Sequence, residues 1–496
     1  RWWGGGVPER PSFYELCDEL GLLIYQDFPL ANDNFDNEPM LGLLRKEGAD
    51  FFRRWRNHPC ILAWNGGNEW FTPKANAIIE GIAKEEDPTR AYFHPCGTQP
   101  GETHGPYNYV AENHYRRMNA FTFQAYTEFG CAAMANLATL RGIIPAADLG
   151  LFDAAVLGQT HPATDVPGRK AVYDCEGASW RFHNRWWMLP SAGSNSYHGF
   201  STPPSSSLFG KIEHLDQYVA ASQFLSGEGL RYSIEELRRR MFHSSATFVW
   251  QFNETWPNAA GNATVDWFGR PRITHFFVTR AYEPVHASLR YDRIHWRPGD
   301  TLRAELWATS DLEEELPGME IRWEIFDGSG KRVAQGGQRQ SLAAEASARI
   351  QNIEYPIPSD GDSFLLVLCS IRDPVSGKLW SQNDYLFGAH ASTPHYFSPL
   401  LKASRTSLEV SVLHAAENSA VVRVRNNGPG PALFCRLDLY SPGDVAVTYS
   451  DNAFCLPPLG QRTVRITTHS LGKRRWKPDF TRIIASAWNS PSSSAK

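Results

Sequence analysis

Two glutamates stand out by where they fall. Glu69 closes the run Trp64-Asn65-Gly66-Gly67-Asn68-Glu69, after an apolar stretch and before a helical one. Glu128 lies in Tyr126-Thr127-Glu128-Phe129-Gly130, at the end of a second apolar stretch. A carboxylate at the carboxyl end of a strand faces the mouth of a strand-helix barrel, where such barrels build active sites, and paired glycines let backbone approach a ligand closely. Glu69 taken alone reads more readily as a residue that caps or pairs at a helix start. Two strand-end glutamates together match glycosidic-bond hydrolysis. One carboxyl stays protonated to donate to the leaving oxygen, and the other stays ionised to attack or assist at the anomeric carbon.

The surroundings suit a sugar. Aromatic faces cover its C–H patches, and Asn, Gln, His and Tyr bond its hydroxyls. A third strand end supplies Trp250-Gln251-Phe252-Asn253-Glu254, Trp2-Trp3-Gly4-Gly5-Gly6 supplies rings and glycines near the start, and Gly101-Glu102-Thr103-His104-Gly105-Pro106-Tyr107 adds an imidazole and a phenol to the same rim. Trp64, His104, Tyr107, Trp250 and Asn253 are therefore candidate substrate contacts, with a structural hydrogen bond as the plainer alternative for His104. Trp180, Trp186 and Trp187 are assigned to packing.

Other chemistries lack their motifs. There is no Gly-x-Ser-x-Gly and no strand-anchored Gly-x-Gly-x-x-Gly, and Gly4-Gly5-Gly6 is too short to cradle phosphate. The eight cysteines show neither Cys-x-x-Cys nor Cys/His ligand spacing and read as free, buried thiols. No metal and no cofactor are expected.

The elements that must position these residues alternate. Gly21 to Gln26 reads as a strand, followed by a helix announced by Asn37-Glu38-Pro39 and carrying Leu44, Phe51, Phe52 and Trp55. Cys60 to Trp64 is the next strand, Lys74 to Glu86 the next helix, and Ala91 to His94 a further strand. Phe121 to Thr127 and Ala246 to Phe252 should be strands, and Lys211 to Met241 a long charged helix. Pro190 to Ser207, rich in Ser, Gly and Pro, reads as a surface loop. This is strand-helix grammar through about residue 284.

After Pro284 short strands alternate with turns such as Pro298-Gly299-Asp300, Asp327-Gly328-Ser329-Gly330 and Asn426-Asn427-Gly428-Pro429-Gly430, the pattern of β-sandwiches. The expected division is 1–284 α/β, 285–391 and 392–489 sandwiches split at Ser392-Thr393-Pro394, and 490–496 a disordered polar tail.

Length and charge agree with this division. At 496 residues the chain suits about three domains. A net charge of -4 without a long basic run removes the footprint that nucleic-acid binding needs. No apolar run approaches the ~18 residues of a membrane span. The expected partner is an oligosaccharide or glycoside, with no nucleic acid and no membrane. The sequence opens without Met, so it assigns no compartment, and nothing in it assigns an oligomeric state.

Seven motifs in order resemble a known family: Trp3-Gly4-Gly5-Gly6, Phe13-Tyr14-Glu15-Leu16-Cys17-Asp18-Glu19-Leu20-Gly21, Gln26-Asp27-Phe28, Arg56-Asn57-His58-Pro59, Gly67-Asn68-Glu69, Thr127-Glu128-Phe129-Gly130 and Trp250-Gln251-Phe252-Asn253. They are similar to glycoside hydrolase family 2, in the branch of β-mannosidases and exo-β-glucosaminidases, and Ser450-Asp451-Asn452-Ala453-Phe454 resembles that family's late β-sandwich. The resemblance implies α/β plus all-β architecture: a (β/α)8 (TIM) barrel lacking its first strand, because the chain begins inside the second, then two immunoglobulin-like sandwiches. It implies lower stability than a complete relative. By resemblance Glu69 is the general acid/base and Glu128 the nucleophile of a retaining exo-β-glycosidase, β-mannosides first and β-glucosaminides as the alternative. Asn68 would bond the 2-hydroxyl, with Trp3, Asp27 and Trp250 lining the terminal-sugar subsite. A non-catalytic carbohydrate-binding remnant of such an enzyme is the competing reading.

Overall fold

The computed structural model describes residues 1–107, 109, 112–149, 179, 182–183, 208–210, 212, 214–360, 363–391, 395–442, 445–471 and 476–495. The chain forms two compact units. The first comprises 1–105, 122–129 and 242–250; the second comprises 106–121, 130–241 and 251–496.

In the first unit, helices and parallel strands alternate: α1 (Pro11–Leu20), β1 (Ile24–Asp27), α2 (Glu38–Trp55), β2 (Ile61–Asn65), α3 (Pro73–Glu86), β3 (Tyr92–Phe93), β4 (Glu102–His104), β5 (Ala125–Phe129) and a strand at Ala246–Val249. β1, β2 and β3 pair in parallel in that order, and β4, β5 and Ala246–Val249 form a second parallel sheet. Single parallel bridges add Trp2 to Gln26, Ala31 to Asn68 and Asn68 to Cys96. Within each sheet, parallel pairing brings the strands' carboxyl ends to one edge.

Local signals explain the helices. Asn37 caps α2 by accepting from the Met40 N–H at 3.1 Å, Pro39 occupies the first turn, and Arg53 and Arg54 close the last. The guanidinium groups of Arg53 and Arg56 both reach Glu86 at the end of α3. Tyr14, Phe28, Phe52, Trp55, Trp64 and Ile79 form the core between strands and helices. α1 was not anticipated. It starts on Pro11 and ends on Gly21 in the left-handed region, so β1 begins at Ile24 rather than Gly21.

In the second unit, Leu215–Arg239 is a helix buried along most of its length, and its charges are inside rather than solvated. Glu228 meets Arg231, Tyr115 and Tyr291. Glu235 meets His286 at 3.0 Å, Asn383 at 3.0 Å and Tyr385 at 2.8 Å. Charges this deep are tolerated only when paired and hydrogen-bonded.

A five-stranded sheet (His295–Trp296, Leu379–Ala389, Ser363–Arg372, Leu316–Asp327, Arg332–Leu342) and a three-stranded one (Ala346–Pro356, Thr301–Ser310, Val285–Arg290) follow. Two four-stranded sheets then enclose the core of Val422, Val424, Leu437, Phe454 and Ile466.

The final residues correct an expectation. Ser490–Ser494 is an edge strand paired antiparallel with Ile483–Ala487, and the Ala495 N–H reaches Ile483 O at 2.9 Å. A polar edge strand needs only backbone pairing, which composition does not reveal. The expected loop at 190–207, the linker at 392–394, Cys175 and Trp180, Trp186 and Trp187 lie outside the described residues. The seven described cysteines are unpaired and buried. No helix among the described residues is long and apolar enough to cross a membrane.

One buried histidine makes stability depend on pH. His114 is 3 % exposed, its Nε2 pairs with Gly229 O at 2.9 Å, and burial pulls its pKa down to about 4. The unfolded chain binds a proton near ~6.5, so between pH 6.5 and 4 it binds more protons than the fold does. Stability is therefore full above ~6.5 and is lost as pH falls toward 4. His275, also drawn to about 4 by burial, acts in the same direction. Denaturant unfolding at pH 7 and pH 4.5 should show a loss of about 2 kcal/mol traceable to His114. His114→Asn should lose correspondingly less on acidification, and an unchanged acid loss in that variant would contradict the assignment.

Candidate active site

The first unit gathers its polar side chains at the carboxyl ends of the parallel strands. β1 ends on Asp27, which is fully buried and accepts the Gly4 N–H at 2.9 Å. Gly4 is required there, because an added Cβ would lie 2.7 Å from Leu30 O and 2.8 Å from Phe28 O.

β2 ends on Asn65, whose side chain turns the chain by accepting the Gly67 N–H at 2.9 Å and donating to Tyr25 Oη at 3.1 Å and His94 O at 2.7 Å. Gly67 has φ +130°, and an added Cβ would sit 2.5 Å from Leu30 O. This turn delivers Asn68 and Glu69. Glu69 itself has φ +60°, a left-handed conformation that costs a non-glycine residue about 1–3 kcal/mol, held here by its N–H on Cys96 O at 3.0 Å.

β4 contributes His104, and β5 contributes Glu128 from within the strand rather than past its end. One carboxylate oxygen each of Glu69 and Glu128 and one His104 ring nitrogen all lie within 4.8 Å of one another. The two carboxyls differ in setting. The Glu128 side chain is 7 % exposed and accepts from Arg1 Nη1 at 2.9 Å, whereas that of Glu69 is 37 % exposed and faces His104 Nδ1 at 3.2 Å.

Arg1 organises the buried side. Its guanidinium forks onto Asp27 at 2.6 and 3.2 Å and also donates to Glu128, to Asn68 Oδ1 at 2.7 Å and to Thr127 O at 3.1 Å. Burial works against its charge, yet Asp27, and Glu128 after it, keep its pKa above the ordinary arginine range. Asn68 is held at both ends, its Nδ2 donating to Asn32 Oδ1 at 3.0 Å.

Removing the cation would leave two buried carboxylates unbalanced. Arg1→Met should cost about 3–5 kcal/mol in denaturant unfolding. Adding Asp27→Leu should recover part of that loss, and a double-mutant cycle with no coupling between the two sites would refute the pairing.

Of the residues singled out in the sequence, Asp27, Asn68, Glu69, His104 and Glu128 come together. Trp64 does not. It is 1 % exposed in the helix-side core, and its Nε1 donates to Asp87 at 2.9 Å, so it is not a substrate contact. Parallel strands are apolar on both faces, so composition could not say which way it points. Trp3 lays its indole over Gly5, where an added Cβ would fall 2.0 Å from the ring, and Trp250 bonds its N–H to Phe129 O at 2.7 Å. Tyr107 and Asn253 belong to the second unit, the former buried and the latter exposed.

Sequence reasoning missed Arg1, Tyr25, Cys96 and Glu102. Arg1 adjoins the Trp2-Trp3 motif, and Glu102 stands two residues before His104 on one strand face, the only signals available. Burial raises Glu102's pKa and pushes the Cys96 thiol well up.

Two described trios come close enough to suggest a cation: Asp18, His58 and Cys60, and Glu69, His104 and Glu128. Neither is read as a metal centre. Asp18 already accepts from His58 at 2.7 Å and from the Cys60 N–H at 2.8 Å, and the positive charge on Glu128 comes from Arg1.

Comparison with known proteins agrees with this architecture. Residues 405–489 match the Ig_mannosidase model, described as an Ig-fold domain. β-Mannosidase B of Aspergillus niger is 24 % identical over 94 % of this chain and 55 % of its own length, and that of Emericella nidulans is 26 % identical over the same shares. The crystal structure of β-D-mannosidase from Dictyoglomus thermophilum superposes with a TM-score of 0.74 at 21 % identity, over 99 % of this chain and 56 % of the other. The exo-chitosanase of Amycolatopsis orientalis does so with 0.75 at 16 %, over 99 % and 59 %. The chain thus spans just over half the length of these relatives.

Proposed function

We propose that this β-mannosidase- and glucosaminidase-like chain, of the glycoside hydrolase family 2 type, is a retaining exo-β-glycosidase that removes terminal β-linked sugars, β-mannosides first. The observation that carries the reading is that one carboxylate oxygen of Glu69, from the turn after β2, and one of Glu128, from within β5, lie within 4.8 Å of each other. Retaining enzymes hold their carboxyls ~5–5.5 Å apart, whereas inverting enzymes leave ~6.5–9.5 Å for a water.

The division of labour follows from the surroundings. Glu128, buried against the Arg1 guanidinium, is the nucleophile, and the fixed positive charge orients its oxygens toward the anomeric carbon. Glu69, more exposed, is the acid/base. It gives its proton to the departing glycosidic oxygen as Glu128 forms the glycosyl ester. It then takes a proton from the water that displaces Glu128 and regenerates both carboxyls. Trp3 and Trp250 are read as apolar wall for the terminal sugar, and Asn68 as its 2-hydroxyl partner.

Four carboxyl side chains, Asp27, Glu69, Glu102 and Glu128, belong to this end of the unit with Arg1 as their buried cation, which favours β-glucosaminides as a second substrate class. The parallel strands are read as those of a (β/α)8 barrel counted from its second strand. Residues 285–391 and 392–489 are read as its two accompanying sandwiches.

Aryl β-mannoside, β-glucosaminide, β-galactoside and β-glucuronide should be assayed with this chain, and the anomer first released followed by NMR. Turnover with the β-anomer released is the expected outcome. No turnover on any substrate, or release of the α-anomer, overturns the proposal.

A further inference from the structure

We propose that His104 is the positioning residue of Glu69, holding its carboxyl toward Glu128 and setting the pH at which it gives up its proton; this rests on the acid/base reading of Glu69. The expectation for His104 was a substrate contact on the rim, and its geometry supports a role exerted through Glu69. Its side chain is 10 % exposed, and Nδ1 faces Glu69 Oε1 at 3.2 Å. Nε2 is buried without a hydrogen-bond partner among the described residues. A ring with one partnered nitrogen, facing a carboxylate, carries its proton on that nitrogen. Nδ1–H therefore donates to Glu69 and stabilises its ionised form.

The ring is held from behind. Gly97, at φ +84°, lies so close that an added Cβ would come within 2.9 Å of His104 Cγ. The Gly97 N–H also bonds Glu102 Oε2 at 3.1 Å, fixing the carboxyl that shares the His104 strand and face. Among the described residues, the charged groups around the pair include Glu128 from β5 beside Glu69, Glu102 from β4 beside His104, and Arg1 with Asp27 behind Glu128.

Opposed influences meet at Glu69. The Glu128 charge disfavours a second negative charge nearby, and the His104 donor favours it. Once Glu128 is esterified its charge is gone, and the His104 donor biases Glu69 toward the base form that the second step requires.

Two measurements on the full chain test this. Titration of Glu69 by carboxyl 13C NMR, assigned by difference from Glu69→Gln, should move upward by roughly half to one pH unit in His104→Ala. It should return toward wild type in His104→Asn, whose amide donates from nearly the Nδ1 position. The alkaline limb of kcat/KM should move by the same amount with KM little changed. An unmoved Glu69 titration, or a several-fold rise in KM with an unmoved limb, overturns the proposal. The NMR titration needs no turnover, so an inactive wild type would sink the glycosidase reading while leaving this coupling to be decided separately.

Discussion

Glu128→Ala is expected to lower kcat/KM by about 10^4-fold or more on every accepted aryl glycoside, since groups that act as a covalent unit lose most of their effect when one is removed. The fold should survive only in weakened form. Arg1 would lose one of its acceptors while keeping its fork on Asp27, and so would not be stranded. Far-UV circular dichroism and a denaturation curve alongside the kinetics separate lost chemistry from lost structure. Full activity in the folded variant would refute the nucleophile assignment. A small anion such as formate, filling the vacated volume, should restore part of the turnover by attacking the anomeric carbon from the same face.

Glu69→Gln should give a different signature. Removing a general acid costs about 10^2–10^4-fold where the leaving oxygen needs a proton, and little where the aglycone is already a stable anion. Rates on dinitrophenyl glycosides should therefore fall at the second step only, with the glycosyl-enzyme accumulating as a burst, while those on alkyl glycosides should fall at the first. Azide, which needs no base to attack the ester, should speed the burst-limited reaction and yield a glycosyl azide of retained configuration. Equal loss on good and poor leaving groups would refute the acid/base role. The glutamine fits this test because Glu69 is more than a third exposed, so the exchange leaves no buried charge uncompensated.

How much of this was legible beforehand varies by element. α2 and α3 were readable because the Asn37 cap of α2 and the prolines and apolar spacing of both are local signals, and β1, β2 and β3 because they flank these helices. α1 was not, because its apolar residues sit in a short charged segment and its boundary is set by the left-handed Gly21. Glu69 and Glu128 were found by their place after apolar runs, but the position of Glu128 inside β5 depends on pairing with β4 and Ala246–Val249, which no local pattern encodes.

The amino-acid order by itself determined the alternation of helices and strands, the sandwich texture after Pro284, and the two carboxylates that follow apolar runs, because each depends on short-range backbone preferences. Only the tertiary structure decided which faces those residues present and whom they meet. Trp64 went to the helices and not the sugar, His104 turned its Nδ1 to Glu69, Arg1 became the buried counter-charge, and Ser490–Ser494 found an edge to pair with. The physical reason is common to all four. Side-chain direction in a strand buried on both faces, charge compensation, and edge pairing are set by partners far away in the chain, and a sequence window contains only one member of each pair.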